Sequence, residues 1–182
     1  MEPFKQRKES ILSKEDKSAK GSWDSRIVEL CEKINSLEKY YTTSSCSGKC
    51  VVMEDKIGKD GSYYLWTSHD EIRFKELREV LGKVDYSKKM KFKQEGPILH
   101  VACKDLIFAQ KLVDLARKIG FKRSGIITSV DKIIIELSSP EKLEFPLVED
   151  LSDEFLEKIV EEANRKLKVG WDKIGELKGL FD

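Results

Sequence analysis

The chain has 182 residues, of which 37% are charged and 40% hydrophobic, with 34 Lys+Arg against 33 Asp+Glu. That balance belongs to a globular protein, one domain or two at most, and a chain of this length needs no disulfide or metal staple. It excludes a membrane span, because no apolar run approaches about 18 residues.

We take residues 1–182 as a single domain, with residues 1–20 as a polar helix or extension and 152–181 as a C-terminal helical segment. Met1 to Lys20 lacks an apolar h-region, which argues against a secretory signal. Four cysteines without an export signal suggest reduced thiols and a cytoplasmic location. Charge is uneven: Glu141 to Asp182 holds 7 basic and 12 acidic residues, so the remainder is mildly basic. A basic body suits a phosphate-rich partner without requiring one, and ordinary solvated surface is the plainer reading.

In chain order, Phe4 to Lys17 reads as a short polar helix anchored by Ile11 and Leu12. Ile27, Leu30, Cys31, Ile34 and Leu37 then recur at helical spacing, with Asp24 or Ser25 as N-cap. Tyr40 to Ser45 is extended, Ser47-Gly48 turns, and Cys50 to Glu54 forms a strand. Residues 57–61 make a turn before a strand at Tyr63 to Trp66. Asp70 to Leu81 is helical, with Phe74, Leu77 and Leu81 inward. Strands are expected at Lys91 to Lys93 and Ile98 to Cys103. Lys104 to Ile119 is a strong helix, with Leu106, Ala109, Leu112, Val113, Ala116 and Ile119 inward and Gly120 closing it. Phe121 to Val130 and Lys132 to Leu137 pair as a hairpin around Asp131. Ser152 caps a last helix whose stripe runs through Leu156, Ile159, Val160, Ala163 and Leu167, then past Gly170 to Phe181. Hairpins joined by helices give an α+β fold with a mixed or mostly antiparallel sheet and helices packed on it.

The densest cluster of reactive side chains is Thr42-Thr43-Ser44-Ser45-Cys46-Ser47-Gly48-Lys49. Small side chains let backbone approach a ligand, and glycine lets successive N–H groups face an anion. The competing reading is a serine-rich turn that hydrogen-bonds itself. A phosphatase loop fails because Val52 stands where its arginine belongs. Cys46 and Cys50 have no second zinc-like pair, and Cys31 and Cys103 read as core. Neither G-x-x-x-x-G-K-[ST] nor G-x-G-x-x-G is present. His69 ends a strand and His100 lies within an apolar one, where a structural role competes with a chemical one. Asp24 divides the same way between helix cap and catalysis.

These segments together resemble the tRNA wybutosine-synthesizing protein 3 family. The likeness rests on Gly21-Ser22-x-Asp24, Tyr41 through Gly48, Thr67-Ser68-His69, Glu95 and Leu99-His100-Val101-x-Cys103. Gly120-Phe121-x-x-Ser124-Gly125-Ile126, Glu144-x-Pro146-Leu147 and Ala163-Asn164 extend it, over roughly residues 21–168. Two departures stand out. Lys49 replaces the usual arginine, keeping charge without its fork. Gln94-Glu95-Gly96-Pro97 replaces Phe-Glu-Pro-Phe.

The resemblance implies an S-adenosylmethionine-dependent methyltransferase that acts without the common Rossmann fold. Its substrate is N4 of the 7-aminocarboxypropyl-demethylwyosine base beside the anticodon of phenylalanine tRNA. In-line displacement needs positioning and a proton acceptor, and no metal is required. On this reading Asp24 or His100 takes the proton. Ser45, Ser47, Gly48, Lys49 and His69 hold the cofactor. Trp66, Glu95, Ser124 and Gly125 face the substrate, and Trp66 or Tyr64 stacks on an exposed base unless it packs in the core. Two other classes fit the residues alone: a tRNA-binding module without catalysis, and a small-molecule enzyme with an anion-binding Ser/Gly loop.

Overall fold

The computed structural model describes residues 3–13, 24–55 and 63–181. Gly21-Ser22, the turn at 57–61 and residues 14–17 of the first expected helix lie outside them. The chain divides into two compact units. Unit 1 comprises Met1–Ser47, Pro97–Pro140 and Trp171–Asp182; unit 2 comprises Gly48–Gly96 and Glu141–Gly170. Among the described residues each has its own four-stranded sheet, and every strand pairing there is antiparallel. The α+β expectation holds, with two sheets where one was expected.

Unit 1 contains α1 (Pro3–Leu12), α2 (Ser25–Ser36), β1 (Tyr40–Cys46), β5 (Ile98–Cys103), α4 (Leu106–Lys118), β6 (Gly125–Thr128) and β7 (Ile133–Ser138). Its sheet order is β1-β5-β7-β6. One face carries Leu99, Val101, Ile135 and Leu137, which pack against Ile27, Leu30 and Ile34 of α2 and Leu112 and Val113 of α4. Each such side chain contributes roughly 1.5–3 kcal/mol by leaving water. On the other face Phe4 of α1 meets Tyr41, Ala102 and Ile134. Phe4 is therefore the anchor of α1, while Ile11 and Leu12, expected in that role, are exposed. Leu106 is also corrected. It opens α4 directly after the N-cap Asp105 and is 51% exposed, one turn before the packed stripe begins at Ala109. Gly120 takes the positive φ of 107° that ends α4, as expected.

Unit 2 contains β2 (Lys49–Glu54), β3 (Tyr64–Ser68), α3 (Phe74–Leu81), β4 (Met90–Glu95) and β8 (Lys142–Pro146). Its sheet order is β3-β2-β4-β8. The last helix, α5 (Asp153–Gly179), gives its residues through Gly170 to unit 2 and the rest to unit 1. Cys50, Val52, Phe92, Gln94, Leu143 and Phe145 stand opposite one another and share a face. Phe145 stacks on Phe92 and meets Phe155 of α5 edge-on. The helix expected from Asp70 starts instead at Phe74. Residues before it are held extended by Asn164, whose Oδ1 accepts the Ile72 N–H at 2.9 Å and whose Nδ2 donates to the Ile72 carbonyl at 2.9 Å. Strand β4 outruns its expected three residues because Met90, Phe92 and Gln94 alternate inward. Strand β8 was not expected at all: it is a short edge strand whose inward Leu143 and Phe145 are flanked by charges and ended by Pro146.

Candidate active site

A bulge in β1 decides which serine goes where. Thr42 lies opposite Val101 and Ser44 opposite His100, so Thr43 is an extra residue. The Thr42 N–H donates to Asn35 Oδ1 of α2 at 2.7 Å. The Thr43 hydroxyl donates to the His100 carbonyl at 3.3 Å. Strand alternation flips at such a bulge. Ser44 consequently joins Tyr41 on the sheet face away from α2 and α4, and Ser45 turns toward the Cys31 thiol.

On that face Ser44, His100, Glu136 and Gly125 form one row across all four strands of the unit 1 sheet. Ser44 Oγ lies 2.8 Å from His100 Nδ1, and Glu136 Oε2 lies 2.9 Å from Nε2. The His100 and Glu136 side chains are each about a third exposed, at 32% and 31%. A carboxylate only accepts, so Nε2 carries the hydrogen. In the neutral ring Nδ1 then accepts, and the Ser44 hydroxyl donates to it.

Asp24 is the N-cap of α2. Its Oδ1 accepts the Arg26 N–H at 3.3 Å and its Oδ2 accepts the Ser47 N–H at 2.9 Å. The cap reading is therefore correct, and the same carboxylate also fixes the end of β1. Ser47 is fully buried, and its Oγ has no partner among the described residues. Gly48 has φ 111°, and a Cβ there would stand 2.9 Å from the Glu95 carbonyl oxygen. Only glycine fits that conformation and approach.

In unit 2, Lys49 Nζ lies 3.6 Å from Glu95 Oε2 and 5.1 Å from the Tyr64 ring centre. Glu95 also pairs with Lys93. Tyr64 is about half exposed, at 48%, whereas Trp66 is half-buried and stands opposite Val52 on the row of the buried Phe92. Half-buried His69 follows directly on β3. A cavity of about 330 Å³ in this unit, lined by Tyr63, Lys83, Asp85 and Lys88 among others, includes none of the expected site residues.

Ser124 is occupied structurally. Its Oγ donates to the Phe121 carbonyl at 2.7 Å and accepts the Ser138 N–H at 3.2 Å, while Arg117 grips its carbonyl. Gly125 opens β6 with nothing within 4 Å of a built Cβ. Sequence reasoning missed Glu136 and Ser44 as partners of His100. Glu136 is one acidic residue in an apolar strand, and no local pattern ties it to a histidine 36 positions earlier. It also missed Gln94, which is fully buried with neither amide atom partnered among the described residues.

Known proteins of similar sequence and fold carry the functional reading further. A protein from Thermococcus sibiricus is 37% identical over 94% of this chain and 90% of its own length. Its name is tRNA(Phe) 7-((3-amino-3-carboxypropyl)-4-demethylwyosine(37)-N(4))-methyltransferase. The tRNA wybutosine-synthesizing protein 3 homolog of Xenopus laevis is 34% identical over 92% of this chain and 70% of its own. A solved structure from Pyrococcus horikoshii superposes with a TM-score of 0.89 at 37% identity, covering 98% of this chain and 96% of that one. Fold and relatives together define a methyltransferase built on antiparallel sheets. The chain belongs to the family described as Methyltransferase TYW3, whose model matches residues 6–182.

Proposed function

We propose that this methyltransferase acts on tRNA(Phe), methylating N4 of the 7-aminocarboxypropyl-demethylwyosine base beside the anticodon with S-adenosylmethionine as donor. The observation that carries this reading is the 37% identity, over nearly the full length of both chains, to an enzyme named for that reaction. We further propose a reducing, cytoplasmic setting, on the four cysteines of the sequence.

When bound, S-adenosylmethionine supplies an already activated methyl group. The chain's task is then to hold both reactants in line and to receive a proton. The buried, unpartnered Ser47 hydroxyl fits a group that binds a polar cofactor. Within unit 2, the Lys49 ammonium would suit an anionic group of the cofactor. We assign proton acceptance to His100, whose Nδ1 lies 2.8 Å from the exposed Ser44 hydroxyl, and a positioning role to Asp24, which holds two backbone N–H groups. Asp24 serves by fixing the Ser47 backbone. On the substrate side, Gly125 borders the base within unit 1, on the row of Ser44 and His100. Of the two aromatics expected to stack on an exposed base, Tyr64 is exposed and Trp66 half-buried, which favours Tyr64. Nuclease digestion of incubated tRNA followed by mass spectrometry tests the reading. It predicts a methyl gain on the tricyclic nucleoside alone; methyl on any other nucleoside contradicts it.

A further inference from the structure

We propose that Ser44, His100 and Glu136 act as one proton relay, in which the Ser44 hydroxyl touches the substrate nitrogen and Glu136 is a positioning residue. This rests on the methyltransferase reading above and assigns two residues that the family resemblance did not.

The geometry supports it in three ways. Three neighbouring strands each contribute one member at directly opposed positions, so backbone pairing fixes the spacing. Both ring nitrogens of His100 are engaged, at 2.8 and 2.9 Å, with chemically different partners. The carboxylate fixes the hydrogen on Nε2, which leaves Nδ1 basic and polarises the Ser44 O–H toward it. Ser44 is also exposed, on the face that the bulge gives it. An unbulged strand would present Thr43 opposite His100.

The step balances as follows. The substrate nitrogen forms its bond to the methyl carbon with its lone pair, and the C–S bond of the sulfonium donor breaks with its pair left on sulfur. The N–H proton passes to Ser44 Oγ as the Ser44 proton passes to His100 Nδ1. The positive charge lost by the sulfonium ends on the imidazolium, beside the Glu136 carboxylate. General-base assistance of this kind contributes roughly 10²–10⁴-fold.

The test uses the intact chain with Ser44→Ala, Ser44→Thr and Glu136→Gln. We expect Ser44→Ala and Glu136→Gln each to lower kcat by about 100-fold, with KM for tRNA within about twofold. Ser44→Thr, which keeps a hydroxyl, restores most of the rate. A second readout needs no turnover. The chain has two histidines, so His100→Gln assigns the ring signals in 15N-labelled protein. A downfield Nε2–H proton on His100 is expected in the free wild type and in Ser44→Ala, and an upfield shift of it in Glu136→Gln, whose neutral amide oxygen accepts a weaker hydrogen bond. Wild-type rates in Ser44→Ala and Glu136→Gln, or a His100 proton on Nδ1, overturn the relay alone. A wild-type protein that transfers no methyl overturns the parent reading and the relay with it.

Discussion

Asp24 Oδ2 accepts the Ser47 N–H across 23 residues of chain, so the cap of α2 is also the clamp on the end of β1. Removing it orphans a helix N–H and a buried strand-end N–H together. Asp24→Ala is therefore expected to lose about 2–4 kcal/mol of stability, and Asp24→Asn less, because its amide oxygen still accepts one bond. Urea denaturation measures this. Wild-type stability in Asp24→Ala would show the clamp to be idle.

Gln94 presents the opposite case, a buried amide with both ends unpaired among the described residues. Replacing such a group with an apolar one of similar shape removes an unmet desolvation cost. Gln94→Met is expected to raise stability by about 1–3 kcal/mol in the same denaturation assay. A loss of stability would mean that the amide has a partner, such as a buried water.

Glu144 supplies a pH-dependent term. Hydrogen bonds from Lys142 and then Lys91 draw its carboxyl down from 4.5 to about 2. A depressed carboxylate adds stability that is fully present above its ordinary value and vanishes as pH falls through the folded one. Glu144→Gln should therefore melt below wild type at pH 7, by a small margin because the network is exposed. That gap should close as pH falls from about 4.5 toward 2. A gap independent of pH, followed by melting temperature, would rule out this linkage.

Thiol reactivity follows burial. Burial pushes the Cys50 and Cys103 thiols up to about 12 and raises that of Cys31. Cys46 is half-buried and the other three are buried. Iodoacetamide on the native protein should label Cys46 alone, and all four after denaturation. Native labelling of Cys31 would contradict the packing of α2 on its sheet.

The helices and β5 were legible because their signals are local: Ile27, Leu30 and Ile34 repeat on one face, and Ile98 to Cys103 form an apolar run. The division of strands between two sheets was not, since pairing joins Lys91–Glu95 to Lys142–Pro146 across a long intervening segment. The start of α3 escaped notice for a related reason: Asn164, 92 residues away, competes for the Ile72 backbone. At the site, the serine-rich segment, Asp24 and His100 were visible as residue types. What they do with one another depends on one bulged residue, Thr43, and on cross-strand neighbours that no spacing rule reaches.

The most direct measurement is methyl transfer from labelled S-adenosylmethionine to tRNA(Phe) bearing the unmethylated tricyclic base, with unmodified tRNA(Phe) alongside. The account predicts label in the tricyclic tRNA only. Label in neither, from folded protein that still binds tRNA, would contradict it.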